Sequence, residues 1–130
     1  MSTTQTDTYS KTAKADLKFS SFAEFYPYYL TEHTLPLTKL FHFIGTSGSL
    51  FQWGYLMKMV VEKYVQEKPN AEDPKYYLLG TALLFGYFCA WVSHFFIEKN
   101  KPATFKWPIW SFLGDLKMYS EIWCGKHRLL

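Results

Sequence analysis

The segment YYLLGTALLFGYFCAWVSHFFI, Tyr76–Ile97, decides the fold of this protein. Its 22 residues include no Asp, Glu, Lys or Arg, and a helix of about 20 apolar residues crosses a lipid bilayer. A second apolar run, LFHFIGTSGSLFQWGYLM at Leu40–Met57, is 18 residues long and meets the lower end of the same length criterion. We therefore expect two transmembrane helices, at about residues 40–61 and 76–97, rather than the core helices of a soluble bundle.

The composition limits the protein to a few classes. The chain has 130 residues, enough for one domain, with 48% hydrophobic residues, 21% aromatic residues and a formal charge of +3. So many aromatic residues exclude disorder over most of the length, and only two cysteines, Cys89 and Cys124, exclude a disulfide scaffold. Lys and Arg total 14 against 11 acidic residues and form no dense run, so the sequence does not predict nucleic-acid binding.

The segments around the two apolar runs complete an all-α membrane protein. Residues 1–19 are rich in Ser, Thr and Lys and are expected to form a disordered tail. Residues 20–126 are expected to form one membrane-embedded helical domain, followed by a short C-terminal tail at 127–130. The stretch WPIWSFLGDLKMYSEIW, Trp107–Trp123, is apolar but interrupted by charged residues, so we expect a C-terminal interfacial or re-entrant helix.

An N-terminal amphipathic helix is expected before the first span. In SFAEFYPYYLTEH, residues 21–33, four aromatic side chains recur at helical spacing: Phe22, Phe25, Tyr26 and Tyr29. Ser20 or Ser21 is in position to cap this helix. Its aromatic face would suit either a contact with the rest of the protein or the membrane interface.

The distribution of charge predicts the orientation in the membrane. Two spans put both termini on one side, and ten of the 14 basic residues lie on that side, against four between the spans. Cytoplasmic segments carry the excess of Lys and Arg. Both termini are therefore expected to be cytoplasmic, in the endoplasmic reticulum membrane of a eukaryote or the inner membrane of a bacterium.

Three histidines are expected to meet at one membrane face. The start of the first span and the end of the second lie at the same face, which puts His42 and His94 at similar depth, with His33 nine residues before His42. Glu98 lies one helical turn beyond His94, on the same side of the helix. His127, in the basic tail, is expected to be an ordinary solvated side chain.

Small residues indicate that the two spans pack closely. They recur every four positions on each span: Ala82, Gly86 and Ala90 on the second, and Gly45 and Ser49 on the first. Stripes of this kind let transmembrane backbones approach one another. If the two stripes pack together, His42 and His94 face each other; the same faces would also permit oligomerisation.

An ionisable cluster at membrane depth is a functional hypothesis, because such a group costs about 2.5–3.5 kcal/mol at the centre of a span. Neutral imidazole and carboxylate bind iron or zinc, and two histidines with one carboxylate are the ligand type of non-haem Fe(II) oxygenases. The residues alone leave alternatives open. These are a histidine–carboxylate hydrogen bond for proton transfer, plain interfacial packing, a haem or quinone carrier, and a non-catalytic protein that associates through its small-residue faces.

Two segments of the sequence resemble a known family of small membrane proteins. FYPYYLTEHTLPLTKLFHFIGT carries His33 and His42 separated by eight residues, and WVSHFFIEKNKPATFKWPIWSFLGDLKMYSEIW carries His94, Glu98 and Pro102. Together they resemble the proteins related to the fungal 2-hydroxy fatty acid dioxygenase of phytosphingosine breakdown. The short chain and its last helix look like the compact relatives found in bacteria.

The resemblance implies an Fe(II)-dependent dioxygenase. It would convert a 2-hydroxy fatty acid to the acid one carbon shorter, with loss of carbon dioxide and without 2-oxoglutarate. On that pattern His33, His42 and His94 are carried over as iron ligands. Glu98 would either complete the ligand set or orient His94 by accepting its other N–H.

Other charged residues on the same side of the membrane are candidates for contacts with the substrate. Lys99, Lys101 and Lys106 could bind its carboxylate, although lysines at this depth also act as membrane anchors. Asp115 and Glu121 are reserve carboxylates, otherwise expected on the polar face of the last helix. The expected partners are a 2-hydroxy fatty acid, dioxygen and the lipid bilayer, and the expected cofactor is Fe(II).

Overall fold

The computed structural model describes residues 17–129, which form helices and no strand. Four α-helices follow in order: α1 (Phe22–Thr31), α2 (Pro36–Val60), α3 (Tyr77–Val92) and α4 (Pro108–Trp123). Shorter turns extend or join them: π-helical turns at Val61–Val65 and Ser93–Glu98, and a 3-10 turn at Ala103–Phe105. The predicted all-α fold is confirmed. Residues 1–16 of the predicted tail, and Leu130, lie outside the described residues.

α2 and α3 form an antiparallel hairpin whose helices approach closely through small residues. A Cβ on Gly45 would lie 2.8 Å from Cys89 Cβ, and a Cβ on Gly86 would lie 2.8 Å from Ser49 Oγ. The Ser49 hydroxyl donates to the Ala82 carbonyl at 2.6 Å. The predicted packing of the two small-residue stripes is confirmed, and these faces contact each other within the chain.

Local sequence explains where α1 begins. Ser21 has an extended backbone, and its hydroxyl accepts the Glu24 N–H at 3.3 Å. In return, the Glu24 carboxylate accepts the backbone N–H and the hydroxyl of Ser20. The Ser21 contact satisfies an N–H group that has no partner inside the first helical turn, and the Glu24 contacts hold the residue before the cap. The predicted cap is therefore confirmed at Ser21.

The aromatic face of α1 packs against protein. Phe25 and Tyr28 are buried, and the ring centroid of Phe25 lies 5.8 Å from that of Trp107 and 5.6 Å from that of Trp110. Phe19 precedes the helix and packs on the same rings, with its centroid 5.4 Å from that of Phe25. Of the two surroundings expected for this face, the structure selects contact with the rest of the protein, through the start of α4.

α3 with its π-helical extension, Tyr77–Glu98, is the one stretch among the described residues that is long and apolar enough to cross a membrane. It coincides with the second expected span, 76–97. Many of its outward side chains are exposed, with Leu84 at 71% and Phe96 at 76%. α2 is longer but less apolar, because hydroxyl, amide and charged side chains interrupt its apolar residues. The expectation of two spans is therefore not confirmed by this criterion.

The residues after α4 fold back onto it. His127 Nε2 lies 2.8 Å from Glu121 Oε2, and its side chain is only 14% exposed. The Glu121 carboxylate also accepts the Tyr26 hydroxyl at 2.5 Å. The expectation of a solvated His127 is wrong, because the chain turns back after Trp123. Gly125 adopts a left-handed φ of 75° in this turn, which glycine permits without strain.

Candidate metal centre

Three histidines from separate segments meet beside the α2–α3 hairpin, and we call them the histidine cluster. His33 lies between α1 and α2, His42 is on α2, and His94 is in the π-helical turn that extends α3. Their ring centroids are 4.5 Å apart for His33 and His42, 4.6 Å for His33 and His94, and 5.2 Å for His42 and His94. All three residues are buried, and one ring nitrogen of each lies within 4.8 Å of the other two.

His33 is held by α1. Its Nδ1 lies 2.6 Å from the Tyr29 carbonyl oxygen, which can only accept, so Nδ1 carries the proton. The Tyr29 ring also stacks on the imidazole, with centroids 4.1 Å apart. Burial, together with the nearby rings of His42 and His94, lowers the pKa of His33 well below its ordinary value. The imidazole is therefore neutral at physiological pH.

His42 is oriented by α4. Its Nδ1 donates to Asp115 Oδ1 at 2.7 Å. The Thr46 hydroxyl donates to Asp115 Oδ2 at 2.5 Å, and the Tyr29 hydroxyl donates to Oδ1 at 3.4 Å. Because Asp115 accepts all three contacts, the Nδ1 of His42 is the protonated nitrogen. Asp115 thus links α1, α2 and α4 at the histidine cluster.

His94 is oriented by the loop that follows α3. Its Nδ1 donates to Asn100 Oδ1 at 2.7 Å. The amide nitrogen of Asn100 donates to the carbonyl and the carboxylate of Glu32, at 3.0 Å and 3.1 Å, which determines that the oxygen of this amide faces His94. The Asn100 backbone N–H also donates to the His94 carbonyl at 2.9 Å.

These contacts give all three histidines the same tautomer, with the proton on Nδ1 and the lone pair on Nε2. The buried Nε2 atoms of His33 and His42 have no hydrogen-bond partner among residues 17–129. An unpaired buried polar atom costs about 1–3 kcal/mol, so such atoms call for a ligand. Neutral imidazoles are ligands for both zinc and iron. The histidine cluster therefore fits a bound metal ion.

Glu98 lies outside the histidine cluster. Its carboxylate accepts the Leu35 backbone N–H at 2.7 Å and the Thr34 hydroxyl at 3.0 Å, which puts a negative charge at the N-terminus of α2. The sequence predicts Glu98 one α-helical turn beyond His94. The chain is a π-helix there, so Glu98 has a different angular position around the helix axis from the one an α-helix would give it. Asn100 makes the contact to His94 that we expected of Glu98.

The lysines considered for a substrate carboxylate also lie elsewhere. Lys99 has a left-handed φ of 57°, and together with Lys101 and Lys106 it lines a surface groove beside Phe95 and Phe105. That groove differs from the pocket that contains the three histidines. The structure does not bring Lys99 or Lys101 to the histidine cluster.

The two reserve carboxylates have different surroundings. Asp115 is partly buried and contacts His42 directly, whereas Glu121 lies further along α4 and contacts Tyr26 and His127. The expectation that Asp115 lies on the polar face of its helix is therefore wrong. Its other expected role, as a reserve carboxylate on the side of the histidines, agrees with this contact.

Asn100 and the carbonyl of Tyr29 also belong to the site, although the sequence does not predict them. Asn100 lies in a short polar loop after α3, where an Asn is an ordinary turn residue and carries no distinguishing signal. A backbone carbonyl has no sequence signature at all. Their contacts to His94 and His33 became evident only from the structure.

The histidine cluster lies at one end of a pocket between α2, α3 and α4. Away from the histidines, its large side chains are apolar: Leu50 and Trp53 from α2, Leu83 and Tyr87 from α3, and Phe112 and Leu116 from α4. Binding sites for small molecules combine such apolar walls with a few polar groups that orient the ligand. The arrangement could therefore bind an amphipathic molecule next to a metal ion.

The fold and the site define an all-α protein with a candidate three-histidine metal centre beside an apolar pocket. A family model described as "2-hydroxy-palmitic acid dioxygenase Mpo1-like" matches residues 19–127. The chain belongs to this Mpo1-like family, which confirms the resemblance found in the sequence. No curated protein and no solved structure matches the chain.

Proposed function

We propose that this protein is a membrane-embedded, Fe(II)-dependent dioxygenase of 2-hydroxy fatty acids, with His33, His42 and His94 as the metal ligands. The observation that carries the proposal is the tautomer shared by the three histidines, with the unpaired Nε2 atoms of His33 and His42 buried beside an apolar pocket. Membership of the family supports the substrate class, because the description of the family names a 2-hydroxy-palmitic acid dioxygenase.

Iron is the proposed metal because zinc, which also binds imidazole, has no redox chemistry. Bound Fe(II) would supply the electron transfer that dioxygen needs in order to react with an organic acid. The close contacts among the three rings, with centroids no more than 5.2 Å apart, favour a single ion over a haem between facing histidines.

The proposed reaction balances without a further reductant. A 2-hydroxy acid and dioxygen give the acid one carbon shorter, carbon dioxide and water. Carbon 2 is oxidised to a carboxyl carbon and carbon 1 leaves as carbon dioxide, and together they lose as many electrons as dioxygen accepts. This balance agrees with a reaction that does not use 2-oxoglutarate.

The residues of the chain would position the metal ligands. Asp115, Asn100 and the Tyr29 carbonyl each accept an Nδ1–H, so each keeps the Nε2 of its histidine directed towards the centre of the cluster. Hydrogen bonds of this kind also make the imidazole a stronger ligand, and their loss typically costs about 10–100-fold in metal affinity. Of the three acceptors, Asp115 is the only one that adds a negative charge.

We further propose that residues 20–126 are embedded in the membrane, with α2 and α3 as spans, α4 at the interface and both termini cytoplasmic. Large apolar side chains on the outer faces support this, with Phe51 on α2 exposed by 76% and Phe88 on α3 by 66%. α2 has 25 residues, which corresponds to about 37 Å of helix and exceeds the bilayer core of about 30 Å. The excess of basic residues on the terminal side supports the orientation.

The test is the iron content and oxygen consumption of the detergent-purified protein. The wild type, loaded with Fe(II) under anaerobic conditions, is expected to bind iron stoichiometrically and to consume oxygen when 2-hydroxypalmitic acid is added. His42→Ala and His94→Ala are expected to abolish both. His127→Ala is the matched control and should change neither, because His127 contacts Glu121 outside the histidine cluster.

The possible outcomes test the metal centre, its location and the substrate separately. A folded wild type that binds no iron after reconstitution would contradict the metal centre. Equal iron binding by the wild type and the His42 and His94 variants would place the ion elsewhere. Stoichiometric iron without oxygen consumption would retain the metal site and contradict the proposed substrate.

A further inference from the structure

The pocket beside the histidine cluster is amphipathic along its length. Its polar end contains the three histidines together with Asp115 and Ser111, and its other end is lined by Leu50, Trp53 and Leu83. A molecule that fills it must carry a polar group at one end and an apolar body at the other. The lining therefore suits a molecule that has a polar head and an apolar chain.

The pocket also has a defined end. His42 and Trp53 both line it, and their eleven-residue separation on α2 corresponds to about 16 Å along the helix axis. The Trp53 indole N–H donates to the Leu79 carbonyl at 3.5 Å, so the indole reaches across from α2 to α3. An apolar chain that starts at the histidines and follows α2 would stop at this indole.

Small residues line the middle of the pocket, and partly exposed side chains line it at the protein surface. Gly86 and Ser49, which bring α3 and α2 together, also line the pocket. Leu50, Leu83 and Phe112 form the edges and are each partly exposed. In a bilayer these edges would face the lipid, so an acyl chain could enter sideways from the membrane.

Ser111 supplies a polar atom that no part of the protein uses. It is only 4% exposed, and its hydroxyl has no hydrogen-bond partner in the described part of the chain. It lies one helical turn before Asp115, on the same face of α4, and lines the same pocket. The Ser111 hydroxyl is therefore available to donate to an oxygen of a ligand at the polar end.

We propose that this pocket is a slot for one acyl chain. The polar head lies at the histidine cluster and Ser111, the chain follows α2, and Trp53 and Leu83 together set the longest chain that fits. The inference rests on the proposed function, because it takes a 2-hydroxy acid as the ligand. It assigns the chain-length specificity to residues that are far from the metal ligands.

The test measures equilibrium binding of radiolabelled 2-hydroxy acids to the iron-loaded protein under anaerobic conditions, where no turnover occurs. Leu83→Trp is expected to weaken binding of 2-hydroxypalmitic acid by about tenfold, the loss expected when about two methylene groups leave an apolar site. Binding of 2-hydroxyoctanoic acid should not change. Trp53→Ala should shift the preference towards longer acids.

One further variant is a control, and another tests the polar end of the pocket. Leu84→Trp makes the same substitution on the same helix, but Leu84 lies outside the pocket and is exposed, so its chain-length profile should match the wild type. Ser111→Ala is expected to weaken binding of acids of all lengths to the same degree, because it removes a contact to the polar head. Helix content and iron content are measured for every variant to show that it is folded.

The results distinguish failure of the slot from failure of the proposed function. Identical chain-length profiles for the wild type, Leu83→Trp and Trp53→Ala would overturn the slot, and so would equal shifts in Leu83→Trp and Leu84→Trp. Both leave the proposed function intact, since iron binding and oxygen consumption are measured separately. A wild type that binds iron but no 2-hydroxy acid would overturn the slot and the substrate together.

Discussion

α1 and the outer face of α3 are similar in composition but have opposite surroundings. Both are rich in aromatic and other apolar side chains. In α1, Phe25 is completely buried against α4, and the same helix orients His33 through the Tyr29 carbonyl. On α3, Phe88 is largely exposed, while the opposite face packs on α2. An apolar helix surface therefore supports the site only where it meets protein.

The largest difference in the free energy of unfolding is expected between the Phe25→Ala and Phe88→Ala variants. Removing the Phe25 ring leaves a cavity beneath the helix that carries Tyr29, and buried Phe→Ala substitutions lower the free energy of unfolding by about 3–5 kcal/mol. Phe88→Ala removes an exposed ring and should cost far less in detergent. Denaturation followed by circular dichroism measures both. Equal losses of stability would show that the two surfaces are not as different as their burial indicates.

The next largest effect is expected on iron affinity. It distinguishes two carboxylates on α4 that have similar hydrogen-bond partners. Asp115 accepts from His42 and a tyrosine hydroxyl, and Glu121 accepts from His127 and a tyrosine hydroxyl. Asp115→Ala is expected to lower iron affinity by about 10–100-fold, because His42 loses its acceptor. Glu121→Ala should leave iron affinity unchanged. Competition with a chelator measures the affinities, and equal effects would contradict the role of Asp115.

The two faces of α3 can be compared through its glycines. A Cβ at Gly86 would lie 2.8 Å from Ser49 Oγ, whereas a Cβ at Gly80 would have no described atom within 4 Å. Gly86→Leu should therefore separate α2 from α3 and lower the free energy of unfolding by about 1–3 kcal/mol, and the iron content should fall. Gly80→Leu should do neither. Normal stability and iron content in Gly86→Leu would contradict the close packing of the hairpin.

The smallest effect is expected for Glu98→Gln. The carboxylate lies at the start of α2, and loss of its charge should lower the free energy of unfolding by about 0.3–1 kcal/mol. Iron content should remain that of the wild type, because Glu98 contacts Leu35 and Thr34 instead of the histidines. Loss of iron in this variant would return Glu98 to the ligand set.

Part of the site could be predicted from sequence because it depends on helical periodicity. Gly86 and His94 are separated by two turns of one helix, as are His42 and Ser49, so packing of the small residues brings the two imidazoles together. The prediction for Glu98 assumed the same α-helical periodicity. It did not anticipate the π-helical turn at Ser93–Glu98, which changes the angular position of every residue that follows His94.

The sequence by itself determined the all-α fold, the hairpin of two apolar helices and the three histidines that could meet at its end. These features follow from hydropathy and helical spacing, which are properties of neighbouring residues. Only the tertiary structure decided what orients His42 and what holds the amide of Asn100 against His94. Asp115 is 73 residues from His42, and Asn100 is 68 residues from Glu32. Contacts over such separations depend on how α4 and the loop after α3 pack, and no local pattern encodes that.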